Sequence, residues 1–275
     1  MKESESIEEQ NKLYIRFLVV IVGQACNLRC RDCGNFAPFA PKETLRYDVN
    51  RIIGHLKIIT KYARIRLLQI QGGEPFIYPR LETLLEFVRH CPEIEKCLIA
   101  TNGTVLPNVS PASLRHEKFI VRISQYPVAS NISGKVQQWL YDHSIRYEMY
   151  HFVSKEDKWF DLGKGKTYKP GAEAETRFQN CLFRNCLTLE DGFLGRCSRS
   201  VIAWKLQGFA PRRPNGVGGG CYLPVSDSET FRVWLDEYIS NPRHMEACCY
   251  CNGTDVRLSI EPAIQLKSGE KWEDF

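Results

Sequence analysis

The chain has 275 residues, enough for one large domain or a barrel with an appendage, and 43% hydrophobic and 25% charged content is ordinary for a soluble globular fold. A net charge of +5 is mild, and the basic side chains are scattered, which argues against nucleic acid as a partner but suits an anionic small substrate. Twelve cysteines are the outlier; the start MKESESIEEQNK is no signal peptide and no apolar run approaches ~18 residues, so reduced, metal-ligating cysteines in a cytoplasmic protein fit better than a disulfide framework or a membrane span.

A polar stretch, 1–13, precedes Tyr14–Val22, a nearly continuous apolar run expected of a strand covered on both faces. Val49, Ile52, Ile53, Leu56 and Ile59 then recur at helical spacing. The next strand is expected at Leu67–Ile70, followed by a helical stripe of Leu81, Leu84, Leu85 and Val88. Cys97–Ala100 and Phe119–Ile123 are the third and fourth strands. Val136, Trp139 and Leu140 mark a helix, with Ser133 as its N-cap, and Ile145–Phe152 is the fifth strand. Strand–helix units of this length predict a parallel α/β sheet with helices outside, an open partial barrel of about six strands whose functional loops sit at the C-terminal strand ends.

The pattern breaks after Phe152. Asp161–Arg177, rich in Gly, Lys and Glu, reads as a loop. Leu187–Arg196 reads as a hairpin turning on Asp191-Gly192, and Ala210–Gly220 as a mobile loop. Phe231, Trp234, Leu235, Tyr238 and Ile239 form a last amphipathic helix. The expected division is a core at 14–160, a small C-terminal region at 161–260 without the core of an independent domain, and a tail at 261–275.

Two motifs carry chemistry. In CNLRCRDC, directly after the first strand, Cys26, Cys30 and Cys33 crowd three thiolates into one loop. Three thiolates can hold three corners of a cuboidal iron–sulfur cluster and leave the fourth iron open. Zinc is the alternative, but it usually takes paired ligands with a second pair elsewhere. After the second strand comes Gly72-Gly73-Glu74-Pro75, where paired glycines let backbone approach a ligand and Glu74 offers an acceptor for an amino group. Taken alone, this motif also reads as a plain βα turn.

Together, CNLRCRDC and GGEP on alternating strands and helices resemble the radical S-adenosylmethionine (radical SAM) superfamily, over residues 14–152. The resemblance implies a [4Fe-4S] cluster on Cys26, Cys30 and Cys33, with the amino and carboxylate groups of SAM on the open iron. It implies contacts to SAM from Gly72, Gly73 and Glu74, and from Asn102 and Ser124 at the ends of the third and fourth strands. An electron from the cluster would cleave SAM to methionine and a 5′-deoxyadenosyl radical that removes hydrogen from an unactivated carbon. Asp32 stands where many members carry an aromatic residue near adenine, so Phe36 or Phe39 would have to take that role.

The later cysteines look like a twitch extension, a shortened SPASM-type unit holding one auxiliary [4Fe-4S] cluster. That resemblance implies Cys181, Cys197, Cys248 and Cys251 as ligands, with Cys186 a rival for the first position and a structural zinc site as the alternative. Cys91 and Cys97 read as small apolar residues. Cys186, Cys221 and Cys249 are candidate hydrogen-atom donors to a substrate radical. Trp159, Asp161, Lys164 and Lys166 lie in a loop that could cover the barrel mouth.

The implied fold is a partial (β/α)6 TIM-like barrel with a small C-terminal twitch-type α+β unit. Short twitch-bearing members include enzymes of sugar and aminocyclitol alcohols, and this chain is similar in length and cysteine layout. No extra N-terminal domain for gripping a leader peptide is evident. The implied substrate is therefore a small carbohydrate or aminocyclitol, and the outcome epimerisation or dehydrogenation. The alternatives are maturation of a ribosomally made peptide, by epimerisation or crosslinking, and a non-catalytic Fe–S or zinc protein. An external electron donor such as flavodoxin or ferredoxin is expected, and neither nucleic acid nor membrane is expected as a partner.

Overall fold

The computed structural model describes residues 12–152, 157–164, 168–202 and 222–271. Strands β1 (Leu13–Ile15) and β2 (Leu18–Ile21) both run parallel to β3 (Ala63–Gln71) in one register, Leu13 opposite Ala63 and Leu18 opposite Leu68. The single strand expected at Tyr14–Val22 is thus interrupted at Arg16–Phe17. There the Phe17 carbonyl accepts the N–H of Leu187 at 3.0 Å. All four residues of β2 are at most 6% exposed, as a strand covered on both faces must be.

Helix α1 (Val49–Tyr62) is capped by Asp48, whose carboxylate accepts the Arg51 N–H at 3.0 Å, and buries the stripe Val49, Ile52, Leu56 and Ile59. Helix α2 (Leu81–His90) buries Leu81, Leu84, Leu85 and Val88 in the same way. Then follow β4 (Ile94–Thr101), α3 (Pro111–Leu114), β5 (Phe119–Gln125), α4 (Ser130–Asp142), β6 (Tyr147–His151) and β7 (Trp159–Phe160). Strand β3 begins four residues before the apolar run that signals it. Its first half alternates buried Ala63 and Ile65 with exposed Arg64 and Arg66, a period-two pattern that a search for apolar runs misses. Ser133 is not an N-cap: α4 starts three residues earlier, and Ser133 is fully buried beside the Gly103 turn.

The stretch expected as a loop contains α5 (Gly171–Gln179), where Ala174 and Phe178, one turn apart, are buried. Two apolar residues in a Gly- and Glu-rich segment are too few to show a period. The hairpin forms as expected, β8 (Leu187–Glu190) turning into β9 (Phe193–Gly195) through Asp191 at φ 49° and Gly192 at φ 84°. Positive φ at both central residues is the type I′ turn that Asp-Gly favours. Helix α6 (Ser198–Ile202), β10 (Tyr222–Pro224), α7 (Glu229–Ser240) and β11 (Ser259–Ile260) complete the described chain.

The main sheet runs in the order β10-β9-β8-β2-β3-β4-β5-β6 and is open. The strands from β8 to β6 are parallel neighbours. That makes six, but the sixth comes from the C-terminal hairpin and not from another strand–helix unit. The line expected at residue 160 therefore does not divide the core. Leu187, Leu189, Leu194, Leu223, Phe231 and Leu235 share one apolar core with the strand–helix half. Nor do residues 263–266 behave as a tail. They lie antiparallel to the cysteine loop, Arg31 N–H to Ile264 carbonyl and Leu266 N–H to Arg29 carbonyl, each at 2.8 Å. Among the described residues, no helix is long and apolar enough to cross a membrane.

Leu189, 2% exposed, ties the hairpin to this core. Leu189→Ala is expected to cost about 2–5 kcal/mol in urea denaturation while keeping one cooperative transition; two separable transitions would show that the halves fold independently.

Candidate functional site

The site begins where β2 and β3 end. The ladder continues into both loops: Val22 N–H donates to Gln71 carbonyl at 2.9 Å, Gly73 N–H to Gly23 carbonyl at 2.8 Å, and Glu74 N–H to Ala25 carbonyl at 2.8 Å. A Cβ on Gly72 would stand 2.1 Å from the Gly23 carbonyl oxygen, and one on Gly73 2.0 Å from that of Ala25. The glycine pair is thus required by the chain's own backbone, whereas the motif suggested approach to a ligand. The Gly72 carbonyl accepts Asn35 Nδ2 at 2.9 Å, which ties the turn to the residues just after Cys33.

Glu74 is 2% exposed. Its Oε1 accepts from Phe76 N–H at 3.0 Å and Thr101 Oγ1 at 2.8 Å, and its Oε2 from Asn102 N–H at 2.7 Å. Burial pushes the carboxyl up to about 7, against these donors, which favour the charged form. The side chain therefore fastens the end of β3 to the end of β4. Asn102 Nδ2 reaches Asn27 Oδ1 at 3.0 Å and Cys26 Sγ at 3.6 Å, while its Oδ1 accepts from the backbone and hydroxyl of Thr104. Both SAM-contact candidates thus also brace the cysteine loop.

Ser124, at the end of β5, is hydrogen-bonded to Tyr126, whose hydroxyl is pushed up first by burial and then by the neighbouring Cys30, Cys33 and Glu74. The Tyr126 ring stacks on Phe152 at 5.3 Å and meets the edge of Trp159 at 5.4 Å. This is the aromatic wall beside the cysteines. Phe36 is 3% exposed in a second apolar cluster with Val201, Tyr222, Met245 and Ala247, its ring against Arg199, and Phe39 packs on the same cluster. Asp32, the odd residue of the cysteine run, accepts from Arg31 Nε at 2.9 Å and pairs with Lys164, so it moors the segment after β7 to the loop. Lys166 lies outside the described residues.

Each sulfur of the loop receives N–H groups. Leu28 N–H reaches Cys26 Sγ at 3.4 Å, Gln265 Nε2 reaches Cys30 Sγ at 3.3 Å, and backbone N–H groups of Ala37, Asn35 and Phe36 reach Cys33. Burial pushes Cys26 up to about 11 and Cys30 up to about 12, so free thiolates would be costly here. Three adjacent sulfurs surrounded by N–H donors fit an iron–sulfur cluster, whose thiolate ligands accept such bonds and whose potential they tune. Gln265 was not legible in the sequence as part of this site, because only the antiparallel return of 263–266 brings it there.

The later cysteines also converge. Cys248 is pushed up by burial and then by the charges of Cys197, Cys251 and Cys181, and Cys197 feels Cys251 and Cys181 in turn. Cys186, raised to about 11 by burial, is coupled to Cys181 alone. Among the described residues, no three Cys, His, Asp or Glu side chains are grouped closely enough to hold a single metal ion. Cys181, Cys186, Cys197, Cys248 and Cys251 line a cavity of about 350 Å³ whose other walls include Asn35, Gln69, Gln71 and Arg122. Cys249, 6% exposed, is not on that wall and is hydrogen-bonded to Tyr168; Cys91 and Cys97 are core residues. Cys221 lies outside the described residues. All eleven described cysteines are free thiols.

Two substitutions test this geometry. Gly73→Ala is expected to lower iron loading at Cys26, Cys30 and Cys33 and to weaken SAM binding by at least about tenfold, since turn and loop must separate to admit the methyl; normal loading and affinity would contradict the clamp. Gln265→Leu is expected to keep the cluster but make its midpoint potential more negative in an EPR-monitored redox titration, because an N–H bond to sulfur is lost. An unchanged potential would mean that the amide does not reach the sulfur in solution.

A family described as a 4Fe-4S single cluster domain matches residues 15–150. The chain is 32% identical over 94 residues to a GTP 3′,8-cyclase of Chlorobaculum tepidum, a stretch covering 34% of this chain and 27% of that one. It is 33% identical over 113 residues to the GTP 3′,8-cyclase of Petrotoga mobilis, covering 40% and 34%. The chain thus spans about a third of the length of these curated relatives. Among solved structures, BtrN in complex with AdoMet and 2-DOIA superposes with a TM-score of 0.56 at 14% identity, over 93% of this chain and all of that one. Three thiolates on the loop after β2, clamped to a GGEP turn on an open and mainly parallel sheet, together with these likenesses support a radical SAM enzyme.

Proposed function

We propose that this chain is a radical SAM enzyme acting on a C–H bond of a small carbohydrate-like substrate, with a twitch-type region at 161–260 that holds an auxiliary [4Fe-4S] cluster on Cys181, Cys197, Cys248 and Cys251. One observation carries the reading: a single cavity has Gly34 and Asn35, next to Cys33, on one wall and the four later cysteines on another. A substrate between them would meet SAM on one side and an electron acceptor on the other. The likeness to BtrN extends over 93% of the chain, and the 2-DOIA bound in that structure supports a small-molecule substrate.

When bound, the clusters and SAM supply electron transfer and the 5′-deoxyadenosyl radical that removes the hydrogen atom. The chain's own residues position and enclose. Gln69 and Gln71 on β3 present polar groups from the barrel interior, and the aromatic wall of Tyr126, Phe152 and Trp159 excludes water beside the first cluster loop. Dehydrogenation leaves one electron to pass on; epimerisation instead needs a hydrogen atom returned. Cys186 is the described donor candidate on the cavity wall. An external flavodoxin or ferredoxin would supply the reducing electron.

Anaerobic reconstitution is expected to give about eight irons per chain, falling to about four in Cys248→Ser, because each cubane holds four. Four irons in the unsubstituted protein would remove the auxiliary cluster. Dithionite and SAM should release 5′-deoxyadenosine, and its absence under all substrates and reductants would count against the enzyme reading. Solvent deuterium in the product, abolished by Cys186→Ala, would decide for epimerisation; a product free of deuterium decides for dehydrogenation.

A further inference from the structure

The cavity lined by the later cysteines and by Gly34 and Asn35, next to Cys33, carries a charge pattern that the cofactors do not use up. Five of its lining residues are arginines, Arg122, Arg177, Arg184, Arg196 and Arg199, and no described lining residue is a carboxylate. Arg196 and Arg199 flank Cys197 and are 3% and 5% exposed, so they sit on the cluster side. Arg122 stands on β5 across the cavity. In register it lies opposite Ala100 of β4, whose methyl leaves the barrel floor open toward Gln71 of β3.

The charges can be counted. Five guanidinium groups contribute +5. Glu148 pairs with Arg122 at 2.5 Å and Glu173 with Arg177 at 3.3 Å, which removes two. A cubane held by four thiolates carries a net charge of about −2 in its oxidised form. The remainder is about +1, and Arg184, which is exposed, accounts for it. Among the described residues, Arg196 Nε, Arg177 Nε and Gln69 Oε1 are buried without a partner, and Gln69 itself is 8% exposed. Two of these atoms are N–H donors, and the arginines that carry them line the cavity.

We infer that the substrate carries an anionic oxygen group, a phosphate or a carboxylate, bound by the arginines of this cavity with Arg122 as the contact on the barrel side. The inference rests on reading the cavity as the substrate site. A guanidinium presents its donors as a planar fork that matches either group, and the paired contact orients the substrate as well as holding it. The hydroxyl-bearing part of the substrate would then face Gln69 and Gln71, next to Asn35 and the SAM side.

The test uses the anaerobically reconstituted, SAM-bound protein and two probe anions, inorganic pyrophosphate and malonate, in calorimetric titrations. At least one is expected to bind one to one with a Kd below about 1 mM, and to weaken by about tenfold or more in Arg122→Met, with iron content and SAM affinity unchanged. Arg122→Lys should recover part of the affinity, since it restores charge but not the fork. Tighter pyrophosphate assigns a phosphate; tighter malonate assigns a carboxylate. Failure of both anions to bind below about 10 mM, or equal binding by Arg122→Met, would overturn the inference. If the arginines serve only the auxiliary cluster, Arg196→Met loses iron and Arg122→Met changes nothing, which also overturns it. Loss of the underlying reading would show separately, as missing iron or missing deoxyadenosine before any anion is added.

Discussion

Everything in this molecule hangs on the backbone clamp between the ends of β2 and β3. Two N–H groups of the Gly-Gly-Glu turn donate to Gly23 and Ala25, just ahead of Cys26. The approach is too close for any side chain on either glycine. The buried Glu74 carboxylate then carries the constraint to β4 through Thr101 and Asn102, and Asn102 returns it to Cys26. A three-cysteine loop would otherwise be a floppy surface segment. Here the residues just ahead of it, Gly23 and Ala25, are held by main-chain bonds to the turn after β3, and a cluster needs its ligands held in that way before the metal arrives.

The second constraint comes from the other end of the chain. Residues 263–266 pair with the cysteine loop, Lys164 pairs with Asp32, and Phe36 is buried in a cluster built from Val201, Tyr222, Met245 and Ala247. The C-terminal half is therefore joined to the loop on several sides as well as to the sheet through β8. Asp32 is taken up by an ion pair between the two halves. The aromatic surface near the sulfurs is provided by Tyr126, Phe152 and Trp159. The joining of the two halves explains how the later cysteines come to border one cavity with Gly34 and Asn35, next to Cys33.

Much of the fold could be read without coordinates where burial leaves a strong period. The stripes of α1 and α2, the doubly covered β2 and the Asp-Gly hairpin belong to this class. Errors fell where a pattern was short or mixed: the charged first half of β3, the start of α4, and α5 with its two buried residues. The cysteine loop and the GGEP turn were legible because local spacing carries their chemistry. The reason for the glycines was not, since the atoms that crowd them belong to a loop about fifty residues away.

The sequence by itself determined the chemistry on offer: three thiolates in one loop, a Gly-Gly-Glu turn after the next strand, and a late group of cysteines. Ligand type and local spacing are properties of a short segment, and they survive without knowledge of the fold. Only the tertiary structure decided the company these groups keep. It put Gln265 on Cys30, drew Cys181, Cys197, Cys248 and Cys251 together with Cys186 to one side, and brought five arginines to the lining of one cavity. Those relations depend on strand order and on which face of the pleat a side chain occupies, and both are set by packing between segments far apart in the chain.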